Sequence, residues 1–259
     1  MTIRAIEPSR FAGKKWVERG DFTFAANEMV CLLAPDEVPL ASHTFPIGVL
    51  EVNGQHQFVA LFSLERGNNH FVSPQGRWLA RYKPAVFRAY PFKLAETPEK
   101  KKVLCFDESS GALAEAGLPF YEDDKVTVSE ELSKKIGFIN AVENGIKHAG
   151  KVAQLFESQK LLVPWITIQE SDGDREKTET IHRIDGDKLN ELPEKDLVAL
   201  HEARALPLAY ALHFSLANID FLRRLKTLQD GDLVTGEQNL DGILSDSAHE
   251  EHSLNFDNL

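Results

Sequence analysis

The densest chemistry in the chain lies between residues 76 and 92. In Gly76-Arg77-Trp78-Leu79-Ala80-Arg81-Tyr82-Lys83-Pro84-Ala85-Val86-Phe87-Arg88-Ala89-Tyr90-Pro91-Phe92, four arginine or lysine residues alternate with five aromatic rings. Cations and ring faces together line pockets for anionic or planar ligands. The same residue types also serve structure: rings pack in a core while guanidinium groups snorkel or bond carboxylates and carbonyls. The candidate centre, whether ligand-lined or structural, is Arg77, Trp78, Arg81, Tyr82, Arg88, Tyr90 and Phe92. Trp78 and Tyr82 are four apart, as Arg77 and Arg81 are, so a helix would put each pair on one face.

Carboxylates near this run are the next candidates. Asp107 and Glu108 close the apolar segment Val103–Phe106, with Ser109 beside them. An acid/base role for Asp107 or Glu108, with Arg81 or Arg88 binding an anion, is the enzymatic alternative. The structural alternative is a turn, and Arg88 is expected to be held by Asp107 or Glu108. Other catalytic signatures fail. Gly13-Lys14-Lys15 has Pro8 where a phosphate loop needs glycine, and after His201-Glu202 a zinc protease needs histidine where Ala205 stands. No Gly-x-Ser-x-Gly elbow occurs. The pairs Asp172/Asp174 and Asp185/Asp187 lack the glycine and distal glutamate of a calcium loop and are read as polar turns. His249-Glu250-Glu251-His252 is read as a solvated tail segment. No metal or cofactor is expected.

Composition narrows the class further. The 259 residues carry a net charge of -11, which argues against binding nucleic acid. Eight acidic residues and no lysine or arginine fall between Asp230 and Leu259, leaving the rest about three charges short of neutral. A chain of this size buries roughly three quarters of its unfolded surface and needs no staple. Cys31 and Cys105 each sit in an apolar run and are read as buried reduced thiols. The N-terminal stretch lacks an apolar core of signal-peptide length, and the run Ala205–Ile219 falls short of a membrane span. The chain is expected to be soluble and cytoplasmic.

The positioning elements follow from pattern. Residues 1–20 read as an irregular arm, 21–229 as one domain, and 230–259 as an acidic, disordered tail. Asp21–Leu33 is strand or short helix. Phe45–Val52 and Gln57–Leu64 flank Asn53-Gly54, a favoured hairpin turn. Short helical segments are expected from Trp78, interrupted at Pro84 and Pro91. Lys102–Asp107 reads as a central strand. Ser129 followed by Glu130-Glu131 opens a long amphipathic helix whose apolar face runs through Leu132, Ile136, Ile139, Val142, Ile146, Ala149, Ala153 and Phe156, with a soft break at Gly145 or Gly150. Leu161–Gln169 and Thr178–Ile184 form a second hairpin, with Pro164 marking an edge. Leu189–Leu206 and a last helix from Pro207 to about Leu228 complete an α+β fold: a mainly antiparallel sheet, a long amphipathic helix and a C-terminal helical pair. In the tail, Leu240, Ile243, Leu244, Leu254 and Phe256 form apolar pairs in acidic surroundings, which suits docking on a protein partner.

These pieces together resemble the SapC family of bacterial proteins. The likeness rests on Gly76-Arg77-Trp78, Tyr82-Lys83-Pro84-Ala85 and Arg88-Ala89-Tyr90-Pro91-Phe92. Phe45-Pro46-Ile47, Leu104-Cys105-Phe106-Asp107-Glu108 and Leu206–Leu216 with Tyr210 and Ser215 support it. It covers about residues 15–228. The family is named for a gene associated with a bacterial surface layer. Relatives appear beside genes for halogenase-like flavoproteins, cupin-like proteins and outer-membrane receptors, so products of such genes are the partners the resemblance implies. It brings no catalytic residues with it. The resemblance implies a soluble, non-enzymatic accessory or binding protein.

Overall fold

The computed structural model describes residues 2–232 apart from 53, 98, 124–125 and 173–174, and the side chains of 169–177 and 230–232 are not described. In chain order the elements are β1 (Ile3–Ala5), α1 (Pro8–Phe11), β2 (Lys15–Trp16), β3 (Val30–Leu32), α2 (Val38–Ala41), β4 (Ile47–Val52) and β5 (Gln55–Leu61). Next come α3 (Ala85–Ala89), β6 (Phe92–Glu96), β7 (Lys102–Asp107), β8 (Leu113–Ala114), β9 (Leu118–Pro119) and α4 (Glu130–Ser158). The chain continues through β10 (Leu162–Asp172), β11 (Arg175–Ile184), α5 (Gly186–Asn190), α6 (Glu194–Glu202), α7 (Leu206–Ser215) and α8 (Asn218–Asp232). The fold is α+β, with antiparallel sheets, a long helix and a C-terminal helical pair.

The largest sheet grows from the two hairpins. β4 and β5 pair from Ile47↔Ala60 to Val52↔Gln55 around Gly54, whose φ of 77° is glycine's to adopt. β11 docks on β4 through Ile181↔Leu50 and His182↔Val49, giving the order β10-β11-β4-β5-β3. β10 is an edge strand, and its register shifts between Pro164 and Ile166 because proline cannot donate to the ladder. The apolar segment 102–107 is the middle strand of a second sheet, β1-β7-β6, as its uninterrupted hydrophobicity predicts.

Residues 1–20 are not an irregular arm. β1 pairs with β7 through Ile3↔Asp107 to Ala5↔Cys105, and β2 is the centre of a small sheet between β8 and β9. Phe11 and Trp16 are buried at 0% and 2% exposure. Elements of three and two residues carry no periodicity of their own. Their partners lie about a hundred positions away.

α4 is also straighter in logic than its sequence suggests. The Ser129 hydroxyl accepts the Leu132 N–H at 3.1 Å, capping the first turn. The helix then runs through both Gly145 and Gly150 without a break. A Cβ on Gly145 would stand 2.5 Å from the Cβ of Ala34, and one on Gly150 would stand 2.8 Å from Nε2 of Gln57. These glycines let the helix approach its neighbours closely. The C-terminal region is more divided than its periodicity suggests. α5 and α6 part at Pro193, and α7 and α8 part at residues 216–217. There Asn218 donates to the Ser42 and Phe45 carbonyls, and Ser215 accepts the Ile47 N–H, tying the helices to β4. Among the described residues no single helix is long and apolar enough to cross a membrane. α6 and residues Leu206–Gln229 reach that length and hydropathy only together, as a pair bent by 95°.

Two apolar clusters result. The larger lies between the five-stranded sheet and the helices and contains Phe45, Phe58, Phe62, Phe71, Phe156 and Leu212. The smaller gathers Phe11, Trp16, Phe92, Phe106 and Phe120. α4 joins them, with Leu132 and Ile139 in the smaller and Ala149, Val152 and Phe156 in the larger. The segment 76–92 joins them too: Trp78, Ala80 and Phe87 pack in the larger, Ala89 and Phe92 in the smaller. Both cysteines are free and buried, and burial pushes the Cys31 thiol well above its usual range.

Candidate functional site: a cationic and aromatic cleft

The segment 76–92 is held from within. It begins at a tight turn, where Gly76 has φ 79° and its carbonyl accepts the Phe22 N–H at 2.7 Å. Trp78 is buried against Phe22, Phe62 and Phe87 at ring distances of 5.4, 5.6 and 5.6 Å. It does not share a helix face with Tyr82. Its indole N–H donates to the Tyr82 carbonyl at 2.7 Å, in irregular chain that becomes helical only at Ala85. Pro84 disfavours helix at Lys83, which delays the start.

A buried carboxylate that the sequence did not single out fixes this geometry. Glu37, 6% exposed, accepts the Tyr82 hydroxyl at 2.8 Å and the Ala85 N–H at 2.7 Å through one oxygen. Its other oxygen accepts the Ala34 N–H at 2.9 Å. Burial, and then the hydrogen bond to the Glu37 carboxylate, push the Tyr82 hydroxyl up from its ordinary pKa.

Where the two apolar clusters meet, a cleft of about 390 Å³ opens. Its walls come from residues 18–24, 83–90 and 135–138. Phe24 and Tyr90 stack flat at 3.9 Å and 13°. Lys83 lies over the Phe22 ring, with Nζ 5.2 Å from its centre, and the Arg88 guanidinium lies 5.2 Å over Phe138. Arg88 also donates through Nε to the Lys83 carbonyl at 3.1 Å. Lys135 pairs with Glu18 at 3.0 Å, and Arg19 pairs with Asp21, its Nε donating at 2.8 Å. The Thr23 hydroxyl, donating to Asp21 at 2.6 Å, and the Arg19 guanidinium hold that carboxyl below its ordinary pKa. Arg19 and Lys135 are therefore balanced by carboxylates. Lys83 and Arg88 have no carboxylate partner among the described residues.

The sequence candidates divide. Arg88 and Tyr90 line the cleft. Trp78, Tyr82 and Phe92 brace it from the core side, and Arg77 and Arg81 are exposed outside it. Lys83 stood unmarked within the same run. Arg19, Phe24, Lys135 and Phe138 carried no signal, because each becomes relevant only when its element packs beside α3.

Arg88 is not held by Asp107 or Glu108. Asp107 accepts the Thr2 N–H at 2.9 Å, the Ser109 N–H at 3.1 Å, the Ser109 hydroxyl at 2.6 Å and the Tyr90 hydroxyl at 3.1 Å. Burial raises its pKa, and these hydrogen bonds outweigh that, so it lies below the ordinary value. Glu108 takes Arg10 in a forked pair, at 3.1 and 2.5 Å, and Lys14 at 3.3 Å, which together bring its pKa down to about 2. The N-terminal segment, folded along β7, thus supplies the cations expected from Arg88. The Tyr90 hydroxyl is pushed up to about 12 by burial and by Asp107. Neither Asp107 nor Glu108 lines the cleft. Asp185 caps α5, accepting from the Asp187 and Lys188 N–H groups. Among the described residues no three histidine, cysteine or acidic side chains converge as metal ligands. The tail candidates Leu240, Ile243, Leu244, Leu254 and Phe256, with the 249–252 segment, lie outside the described residues.

Comparison with curated proteins and with solved structures finds no match. A family model, SapC, matches residues 6–222, which take in the segment 76–92, the β7 terminus and the cleft walls. The chain belongs to the SapC family.

Proposed function

We propose that this SapC-family chain is a soluble, non-enzymatic accessory protein of the cytoplasm, which binds its ligand without transforming it. The observation that carries this reading is the cleft: Lys83 and Arg88, which have no carboxylate partner among the described residues, stand on ring faces, while the carboxylates beside them, Glu18 and Asp21, are already ion-paired. Such a surface attracts and orients an anion. The enzymatic alternative, Asp107 or Glu108 as acid/base with Arg81 or Arg88, has less support. Both carboxylates are engaged elsewhere, and both titrate below the ordinary range instead of near neutral pH, where an acid/base works best.

The tail belongs to the same proposal. Leu240, Ile243, Leu244, Leu254 and Phe256 would dock on a protein partner of the kinds encoded beside relatives: halogenase-like, cupin-like or outer-membrane receptor products. Thermal shift of the full chain against a panel of organic anions tests the binding role, with the anions recovered and identified by mass spectrometry. Stabilisation with the anions returned unchanged is expected. No stabilisation by any of them, or conversion of one, refutes it. For the tail, co-purification of each candidate partner is compared between the full chain and a Leu254→Ser/Phe256→Ser variant. Equal recovery removes the tail from recognition.

A further inference from the structure

We infer that the cleft takes a planar aromatic acid, one or two fused rings carrying a single carboxylate. This rests on the binding role proposed above and names its ligand class.

Charge selects first. The cleft wall holds Arg19, Lys83, Arg88 and Lys135 against Glu18 and Asp21, a surplus of two positive charges in a chain whose net charge is -11. A small cationic hollow in an acidic protein focuses the field on an incoming anion. The surplus falls on Lys83 and Arg88, since the other two cations are paired. A surplus of two positive charges is too small to balance a polyphosphate, so a group of low charge fits better than a nucleotide. A guanidinium fork that keeps several donors suits a carboxylate.

Shape selects next. Phe24 and Tyr90 present an already stacked, near-parallel pair, and Phe87 and Phe138 add ring surface. A third flat ring extends such a stack with little ordering cost, whereas an aliphatic chain gains area without the offset-stacked geometry. The volume of about 390 Å³ lies at the low end of the roughly 300–1,000 Å³ of ligand pockets, which limits the occupant to a small ring system.

The test is calorimetry on the full chain with naphthoate as probe. Its comparators are naphthalene methanol, which keeps the rings and loses the charge, and cyclohexane carboxylate, which keeps the charge and loses the flat ring. Naphthoate is expected to bind one per chain, about tenfold or more tighter than either, and to weaken as salt is added. Arg88→Met and Lys83→Met keep apolar bulk and remove charge, and each should weaken naphthoate by about tenfold. The salt dependence of the unmodified chain stands in if a variant does not fold. Equal binding of naphthoate and naphthalene methanol, or affinity untouched by both substitutions, overturns the inference. If all the acids bind equally through Lys83 and Arg88, the ring preference fails while the binding role stands. If neither acid binds, the inference fails, and the anion panel decides the binding role.

Discussion

Glu37 is where the cleft's framework is most open to attack. One buried carboxylate receives three donors, from Ala34, Tyr82 and Ala85. Glu37→Ala leaves all three without an acceptor. Tyr82 is partly exposed, so its hydroxyl can turn to water; the backbone of Ala34 and Ala85, at 6% and 4% exposure, cannot. Two stranded N–H groups cost about 1–3 kcal/mol each, offset in part because a buried charge is no longer desolvated. A net loss of about 3 kcal/mol follows, and at about 2–4 °C per kcal/mol for a domain of this size the Tm falls by roughly 6–12 °C. Tyr82→Phe removes one donor and strands nothing, so it should cost about 1 kcal/mol. Glu37→Gln lies between, since its amide would face the Ala34 N–H donor to donor. The assay is thermal unfolding by circular dichroism, with tryptophan emission followed for Trp78, whose indole is bonded to the Tyr82 carbonyl. A Glu37→Ala protein melting within about 2 °C of the parent, or Tyr82→Phe proving the more damaging change, would refute the assignment of Glu37 as the clasp of this segment.

Two glycines in one helix should respond in opposite senses. Around Gly137 a Cβ meets nothing within 4 Å, so Gly137→Ala gains helix propensity and stabilises by about 0.5–1 kcal/mol. At Gly145 the same methyl meets Ala34 at 2.5 Å, and overpacking of about 1–3 kcal/mol outweighs that gain. Matching melting shifts for both would show that α4 does not sit this close to Ala34. Glu108 sets a pH dependence. Its folded pKa of about 2 lies below the ordinary 4.5, so its stabilisation is complete above about 4.5 and is lost as pH falls toward 2. Denaturant unfolding of the parent and Glu108→Gln should therefore converge as pH drops through that window. A gap that stays constant with pH would mean the Arg10 and Lys14 pairing contributes nothing.

What the sequence determined was local. Ser129 caps α4 because a hydroxyl and the N–H three residues on are adjacent in any helix start. Gly54 closes the β4–β5 hairpin because its backbone alone tolerates the turn. The apolar run Val103–Phe106 lies in β7, the middle strand of its sheet, because its side chains gain most where strands flank them on both sides. The run of cations and rings at 76–92 contributes Arg88 and Tyr90 to the cleft walls, while Arg77 and Arg81 lie outside them. Tertiary structure decided everything that depends on who meets whom. β1 and β2 are too short to announce themselves and exist through pairing with distant strands. Gly145 looks like a helix breaker and is a contact point, because its meaning lies in Ala34 opposite it. Asp107 and Glu108 are claimed by Thr2, Ser109, Arg10 and Lys14, not by Arg88. The cleft itself joins three stretches of chain whose spacing along the sequence encodes no distance. Short-range geometry follows from a few neighbouring residues. Ion-pair choice and cavity walls follow from packing, where many weak contacts at large separation are satisfied together.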